Sequence, residues 1–160
     1  MRQRCVPVIT DIHFDGIENA LPQKCFEKRL KDPDLSALII GPSNPFVSVD
    51  PIISIPGIRS LMIDSDAPVI AVSPIIDGDA VKGPAAKMMR ELNMSVSCSA
   101  IAEYYGDLLN GFVIDERDAQ SAERIRNSGL KVLVTPTLMR TIDDRIRLAE
   151  EILNFSLTLK

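Results

Sequence analysis

Two short segments of the sequence combine conformationally restricted residues with polar side chains that suit an anionic ligand. The first, Gly41-Pro42-Ser43-Asn44-Pro45, directly follows the apolar run Leu38–Ile40. Gly41 permits backbone conformations that other residues resist, and the prolines stiffen the loop. Ser43, Asn44 and, slightly later, Ser48 offer two hydroxyls and an amide. An ordinary tight connection uses the same residue types, so this loop alone leaves both interpretations open.

The second segment runs from Ser73 to Pro84 and follows the apolar run Ala67–Val72. Pro84 is suited to the first turn of a helix, with Lys82 just before that helix and Lys87 near its first turn. Positive charge opposes the helix dipole at an N-terminus, so two lysines here favour a bound anion assisted by free backbone N–H groups. The alternative is that both lysines extend into water, at a cost of about a few tenths of a kcal/mol.

Carboxylates form a third group, represented by Asp77, Asp79 and Asp115. Asp115 follows the apolar run Phe112–Ile114, where a carboxylate can bind a ribose hydroxyl, a guanine edge or a metal, or can equally cap the next helix. With the hydroxyls and lysines, these groups suit a phosphorylated, nucleotide-like ligand and a divalent cation. The sequence shows no Ser-His-Asp set and no His/Cys metal motif, so positioning and charge stabilisation are the expected chemistry.

The elements that position these residues follow from hydrophobic periodicity. Strands are predicted at Val6–Phe14, Ser36–Ile40, Ala67–Val72, Phe112–Ile114 and Leu130–Thr135, with a brief strand-like stretch at Ser95–Cys98. Helices are predicted at Pro22–Lys31, Ile58–Ile63, Ala85–Leu92, Ala100–Leu109, Asp118–Asn127 and from Thr141 onward. This alternation predicts a single α/β domain over residues 1–160, with three layers and a mostly parallel, Rossmann-like sheet. The loops after Ile40, Val72, Ile114 and Thr135 should therefore converge along one edge.

Five finer expectations follow from the same patterns. Ser36–Ile40 should be covered on both faces, as its continuous apolar character suggests. Ser99 should cap the helix that follows it, and Thr141 with Asp144 should form a capping box. Residues of the last helix with helical spacing should share one packed face: Ile142, Ile146, Ala149, Ile152 and Leu153. Val8–Phe14 should form an exposed edge of the sheet.

The composition is that of an ordinary globular protein, with 46% apolar and 25% charged residues. The net charge of −4 argues against nucleic acid as a partner. No apolar run approaches the ~20 residues that a membrane span requires. The three cysteines, Cys5, Cys25 and Cys98, are odd in number and widely spaced. They fit neither a disulfide framework nor a zinc site, which indicates reduced thiols in a cytoplasmic protein.

Four strings carry a resemblance to a known family: GPSNPFVSVDPIISIPGIR, APVIAVSPIIDGDAVKGPAAKMMREL, AEYYGDLLNGFVID and KVLVTPTLM. They closely resemble the 2-phospho-L-lactate transferase family, from about Val8 to the C-terminus. The resemblance implies transfer of a phospholactyl or phosphoenolpyruvyl group from a guanosine diphosphate conjugate to a deazaflavin precursor. It further implies release of GMP, a requirement for magnesium, and a place in deazaflavin coenzyme biosynthesis.

Members of that family are considerably longer and begin with a Gly-rich strand–loop–helix, whereas this sequence has no GxGxxG-like run. The resemblance therefore implies the C-terminal half of the family, either as a fragment or as one part of a split enzyme completed by a separate N-terminal half, with a homodimer as a further arrangement. It implies a nucleotide-binding set comprising Gly41, Pro42, Ser43, Asn44, Ser48, Ser73, Lys82, Gly83 and Lys87. Catalytic residues, metal ligands and deazaflavin contacts remain unassigned, because the matching positions are not in this sequence.

Three functions remain in view at this point. The chain is part of a phospholactyl transferase, a nucleotide-binding module without its own catalysis, or a regulator resembling the gluconeogenesis-factor family, which binds nucleotide sugars. The loop Gly41–Pro45 argues against the third, since that family's corresponding loop resembles Gly-Pro-Gly-Ser-Leu-Tyr-Thr-Ser. The first two share one requirement: Asn44 and Lys87 must lie on the same side of the molecule.

Overall fold

A computed structural model describes residues 7–159 and shows a four-stranded parallel sheet flanked by helices. The strands are β1 (Leu38–Ile40), β2 (Val69–Val72), β3 (Ile75–Ile76), β4 (Asp79–Ala80), β5 (Gly111–Ile114) and β6 (Lys131–Val134). The helices are α1 (Lys24–Leu30), α2 (Asp50–Ile53), α3 (Ile58–Ile63), α4 (Ala85–Glu91), α5 (Cys98–Tyr105), α6 (Ala122–Arg126) and α7 (Ile142–Leu157). A π-helical turn spans Pro45–Val49, and 3-10 turns span Ile17–Asn19, Gly106–Leu108 and Glu116–Ser121.

The sheet has the order β1-β2-β5-β6, and all of its pairings are parallel. Ile39 lies opposite Ile70, and Ala71 lies opposite Phe112. Each parallel connection passes through helices, which produces the three-layer, Rossmann-like α/β architecture that the alternating pattern predicts. β3 and β4 form a separate antiparallel hairpin that extends from the end of β2.

Alternate residues of the two central strands point into two different cores. Val69 and Ala71 of β2 belong to the larger core, whereas Ile70 and Val72 belong to a smaller core on the opposite face. Every residue of β2 and β5 is buried, because both faces of these central strands are covered.

α7 covers the smaller core with Leu148 and Ile152. At its C-terminal end the helix comes so close to the sheet that a Cβ on Gly111 would lie 2.7 Å from Cε1 of Phe155. The absence of a side chain at Gly111 is therefore what allows this end of α7 to pack.

The predicted first strand is wrong. Val6 lies outside the described residues, and residues 7–14 form no strand. Their backbone is held instead by side chains of α4: the Ile9 N–H donates to Glu91, and the Pro7 carbonyl accepts from Lys87. Val8–Phe14 is consequently not a sheet edge.

The expectation that Ser36–Ile40 is covered on both faces is also wrong, because Ile39 of β1, one of the two edge strands of the sheet, lies exposed. Within residues 7–159 β1 pairs with β2 on one side, and the Ile39 side chain is 46% exposed. The continuous apolar run in the sequence is the same for a central strand and for an edge strand with an apolar groove beside it.

The helices follow the predictions with two corrections near α5. Ser95–Cys98 is not strand-like, and the side chain of Ser97, rather than Ser99, accepts the capping hydrogen bond from the Ala100 N–H. α5 therefore begins at Cys98. The helix predicted at Asp118–Asn127 opens as the 3-10 turn Glu116–Ser121 before α6.

The capping box at the start of α7 is confirmed, with Thr141 and Asp144 each accepting from the other's backbone N–H. The expected packed face is wrong, since Ile142, Ile146 and Leu153 are all more than half exposed. Of the predicted face only Ile152 is buried, and the other buried residues of the helix are Leu148 and Ser156. Two neighbouring stripes of α7 are apolar, and periodicity alone does not tell which of them meets the sheet.

Within residues 7–159, no helix combines the length and the apolar character needed to cross a membrane.

Candidate functional site

A cavity of about 320 Å³, here called the rim pocket, lies at the carboxyl ends of the parallel strands. The loop after β1 supplies Pro42, and the loop after β2 supplies Ser73 and Pro74. The rest of the lining comes from the hairpin segment, the loop after β6 and α7: Ile76, Val81, Lys82, Thr137, Leu138, Met139 and Arg145. Loops from distant parts of the sequence therefore converge here, as the parallel topology predicts.

The rim pocket carries positive charge that this part of the structure does not neutralise. Lys82 and Arg145 line it, and no Asp or Glu of residues 7–159 does. Neither cation forms an ion pair within the described range, where the other pairs involve different lysines and arginines. A cavity with two basic side chains and no acidic one favours an anionic ligand.

The hydroxyls of the rim pocket are used to build its walls. Ser73 Oγ donates to the Ile75 carbonyl at 2.9 Å and accepts from the Ile75 N–H at 3.1 Å. Thr137 Oγ1 donates to Asp115 Oδ2 at 3.1 Å. The polar groups that remain for a ligand are therefore chiefly the two cations.

Asp115 acts as a structural carboxylate between two loops. It is almost completely buried, and Oδ1 accepts from the Arg117 N–H at 3.2 Å while Oδ2 accepts from the Thr137 N–H at 2.8 Å. Of the roles open from the sequence, the structure shows the cap. Both of its oxygens are engaged within the protein.

Asp118 is a second buried carboxylate beside this loop. Oδ2 accepts from the Asp77 N–H at 3.1 Å, which links the hairpin turn to the segment after β5. Burial raises the pKa of Asp118, and the negative charge of Asp115 adds to the rise. The backbone hydrogen bond from Asp77 offsets part of the shift.

The predicted residues of the first loop divide between two cavities. Pro42 faces the rim pocket, whereas Gly41, Ser43 and Ser48 line a second cavity of about 270 Å³ beside β1. This second cavity, here called the edge pocket, is otherwise mainly apolar, with side chains such as Ile39 and Ile52. The structure thus brings Pro42, Ser73 and Lys82 of the predicted set together in the rim pocket.

Asn44 organises its own loop and contacts α4. Its side-chain oxygen accepts from the Phe46 and Val47 N–H groups at 3.0 and 3.3 Å, capping the π-helical turn. Its amide nitrogen lies 3.3 Å from Met88 Sδ. Since Met88 is next to Lys87 in the sequence, the Asn44 loop and the helix that carries Lys87 are direct neighbours.

Lys87 already has partners in the structure. Its Nζ lies 2.5 Å from Glu91 Oε1 and donates to the Pro7 carbonyl at 2.8 Å. Gly83 lies in the turn before α4 with a φ of +77°, a conformation that favours glycine. Neither residue lines the rim pocket or the edge pocket.

Sequence reasoning missed Arg145 and the segment Thr137–Met139. Arg145 lies in the charged first turns of α7, where an arginine is typical of a solvated helix face. Arg145 reaches the rim pocket because of the direction in which α7 crosses the sheet. The residues near Arg145 in the sequence do not indicate that direction. Thr137 had a signal, since it follows the carboxyl end of a predicted strand.

The described residues contain no group of three or more His, Cys, Asp or Glu side chains that could hold a metal ion. The buried carboxylates Asp115 and Asp118, which do not line the rim pocket, accept hydrogen bonds from backbone N–H groups. Residues 7–159 therefore do not by themselves fit a protein-only metal centre.

Comparison with known proteins shows which proteins this chain resembles. A family model described as 2-phospho-L-lactate transferase CofD matches residues 2–145. The 2-phospho-L-lactate transferase of Methanocaldococcus jannaschii is 43% identical over 147 residues, covering 92% of this chain and 45% of that relative. That of Methanococcoides burtonii is 36% identical over 154 residues, covering 96% of this chain and 49% of the relative.

A relative named for a different transferred group is the phosphoenolpyruvate transferase of Streptomyces coelicolor. It is 32% identical over 142 residues, which cover 88% of this chain and 44% of that protein. The chain thus spans about half the length of the curated relatives that it matches.

Proposed function

The chain belongs to the 2-phospho-L-lactate transferase CofD family, and on that basis we propose that it takes part in transfer of a phospholactyl or phosphoenolpyruvyl group. The donor is a guanosine diphosphate conjugate, the acceptor is the hydroxyl of a deazaflavin precursor, and GMP is released. Both groups remain candidates, because one relative is named a 2-phospho-L-lactate transferase and another a phosphoenolpyruvate transferase.

The observation that carries this proposal is the rim pocket. Pro42, Ser73 and Lys82 come from two of the strings that resemble the family, and they meet in one cavity that has two cations and no carboxylate from the described residues. A diphosphate supplies the negative charge that such a cavity lacks. Chemistry at this position would rely on orientation and charge stabilisation of the phosphates.

The proposed nucleotide-binding set keeps the nine residues of the sequence prediction, with different roles. Lys82 provides charge, and Pro42 and Ser73 form the wall of the rim pocket. Gly41, Ser43, Asn44 and Ser48 shape the neighbouring loop, and Gly83 shapes the turn before α4. Lys87 would contribute only where a phosphate replaces Glu91 as the partner of its ammonium group.

We expect magnesium to accompany the diphosphate with phosphate oxygens and water as its main ligands. Mg²⁺ commonly keeps several waters and uses substrate phosphates rather than a complete protein cage.

Because the chain spans about half the length of its relatives, we assign it the nucleotide side of the reaction. We propose that the acceptor side is supplied by an N-terminal half like that of the relatives, whether on the same polypeptide or on a separate one, or by a second copy of the chain. The free thiols Cys25 and Cys98 suit the cytoplasmic location proposed for this reaction.

Thermal unfolding with GDP and magnesium tests the nucleotide part of the proposal. A ligand present at one hundred times its Kd adds about 2.7 kcal/mol to the free energy of unfolding, which raises the Tm by several degrees. We expect this rise with GDP and a smaller one with ADP at the same concentration. An unchanged Tm at millimolar GDP contradicts the proposal.

A turnover assay tests the assignment of this chain to the nucleotide side of the reaction. Transfer activity should require the half of the relatives that this chain does not match, and activity of this chain alone contradicts the assignment.

A further inference from the structure

We propose that Lys82 and Arg145 form a two-cation clamp in the rim pocket, and that Arg145 is a diphosphate-binding residue. The inference rests on the proposed function for the identity of the nucleotide and deepens it by assigning a residue outside the sequence-predicted set. Arg145 lines the same cavity as Lys82, Pro42 and Ser73, although it comes from a helix far along the chain.

The charge of Arg145 is left available by its surroundings. The adjacent Asp144 is occupied as a cap, because its Oδ2 accepts from the Arg140 and Thr141 N–H groups at 2.9 and 2.8 Å. These backbone bonds lower the pKa of Asp144 and keep it ionised in its capping role. The ion pairs of the described residues do not include Arg145, so its guanidinium is free to bind phosphate oxygens in a bidentate manner.

The two cations are held by different kinds of structure. Arg145 is fixed to α7, whose start is set by the capping box and whose Leu148 is buried one turn later. Lys82 follows the β3–β4 hairpin on an exposed turn. A planar guanidinium and a flexible ammonium that line the same cavity suit a diphosphate, whose oxygens present several directions at once.

The remaining lining indicates what the diphosphate is attached to. Apolar side chains such as Pro74, Leu138 and Met139 form most of the wall beyond the two cations. A volume of about 320 Å³ exceeds what a bare phosphate fills and falls at the lower end of the range for small-molecule sites. The clamp is therefore suited to an organic diphosphate whose planar portion lies against the apolar wall.

Calorimetric titration of the full chain with GDP, GMP and inorganic pyrophosphate, at two salt concentrations, tests the clamp. For Arg145→Gln we expect GDP and pyrophosphate to bind about tenfold more weakly, as loss of one charge-assisted contact predicts. The preference for GDP over GMP and the salt dependence of binding should both decrease. Arg145→Lys should recover part of the affinity. Arg140→Gln is the matched control, because it removes the same charge from a neighbouring residue outside the cavity, and it should bind like the wild type.

The outcomes separate the clamp from the proposed function. If Arg145→Gln has a native circular dichroism spectrum and binds GDP and pyrophosphate with wild-type affinity, the clamp is wrong while guanine nucleotide binding stands. If pyrophosphate binding depends on Arg145 but ADP, titrated under the same conditions, binds as tightly as GDP, the clamp stands and the guanine nucleotide proposal fails. If the wild-type chain binds none of these ligands, both are overturned.

Discussion

Asp115 Oδ2 accepts hydrogen bonds from both the backbone N–H and the hydroxyl of Thr137, at 2.8 and 3.1 Å. This pair joins the loop after β5 to the loop after β6 and fixes one wall of the rim pocket. Both residues are buried, so water cannot easily replace the carboxylate. The relationship makes Asp115 a positioning residue of the rim rather than a direct ligand.

Asp115→Ala should therefore destabilise the fold. The buried Thr137 N–H loses its acceptor, and an unsatisfied buried donor costs about 1–3 kcal/mol. Urea unfolding followed by circular dichroism measures the change, and Asp115→Asn, which retains an oxygen acceptor, should lose less. Asp107→Ala is a suitable control, since Asp107 forms an exposed ion pair with Arg59 and its loss should leave the urea midpoint nearly unchanged. Equal midpoints for Asp115→Ala and the wild type would contradict the structural role.

Two residues of α7 should respond very differently to truncation. Leu148 is buried against the sheet, so Leu148→Ala should cost about 2–5 kcal/mol through lost burial and a residual cavity. Ile146 is 52% exposed, and Ile146→Ala should change stability by well under about 1 kcal/mol. Urea midpoints of the two variants provide the comparison. A larger loss for Ile146→Ala would mean that the exposed stripe, not the Leu148 stripe, is packed.

The contrast in α7 shows where sequence reasoning is sufficient and where it is not. Local signals identify the start of the helix at Thr141 and the central strands β2 and β5, because caps and uniformly apolar runs act within a few residues. The choice between two apolar stripes of one helix depends on how the helix crosses the sheet. Residues 7–14 show the same limit: their alternating pattern suits a strand, but contacts with Glu91 and Lys87 hold them otherwise.

The candidate site divides in a similar way. Pro42, Ser73 and Lys82 were predictable because each follows a strand whose carboxyl end must reach the rim. Arg145 was not, since nothing near it in the sequence indicates that the start of α7 borders the same cavity. Asn44 has a residue type suited to ligand binding, yet its oxygen is used to cap the following turn.

The buried carboxylate Asp118 should make stability depend on pH. Burial raises its pKa in the folded state, so the folded protein binds the proton more readily than the unfolded chain does. The cost of holding Asp118 ionised is present above its folded pKa and disappears as the pH falls through that value. Asp118→Asn removes the ionisation while keeping an oxygen for the Asp77 N–H. We expect the Tm of Asp118→Asn minus the Tm of the wild type to be larger at pH 8 than at pH 4. The same difference at both pH values would exclude Asp118 as a source of pH dependence.

The two thiols in the described range should differ in reactivity. Cys98 is completely buried, and burial raises the pKa of its thiol, whereas Cys25 is exposed. Because the thiolate is the reactive form, Cys98 should react with a disulfide reagent only after unfolding. In a Cys5→Ser background, an absorbance assay should show one thiol reacting in native buffer and a second in denaturant. Cys25→Ser should abolish the native reaction, and a persisting fast reaction would show that Cys98 is accessible.

Substitutions of Lys82 and Lys87 should have different effects: one should mainly weaken GDP binding, and the other should mainly lower stability. Lys82 lines the rim pocket without a carboxylate partner in the described range, so Lys82→Ala should weaken GDP binding about tenfold, consistent with losing one charge-assisted contact. Lys87 instead holds Glu91 and the Pro7 carbonyl, so Lys87→Ala should release the 7–9 segment and lower the urea midpoint, with a smaller loss of GDP affinity. Calorimetry with GDP and urea unfolding without ligand measure the two effects on the same preparations. Lys131→Ala, which removes an exposed lysine outside the rim pocket, controls for net charge. If Lys87→Ala loses more GDP affinity than Lys82→Ala, the phosphate site lies at α4 rather than in the rim pocket. Lys87 could contribute that affinity only by releasing Glu91 and binding the phosphate in its place.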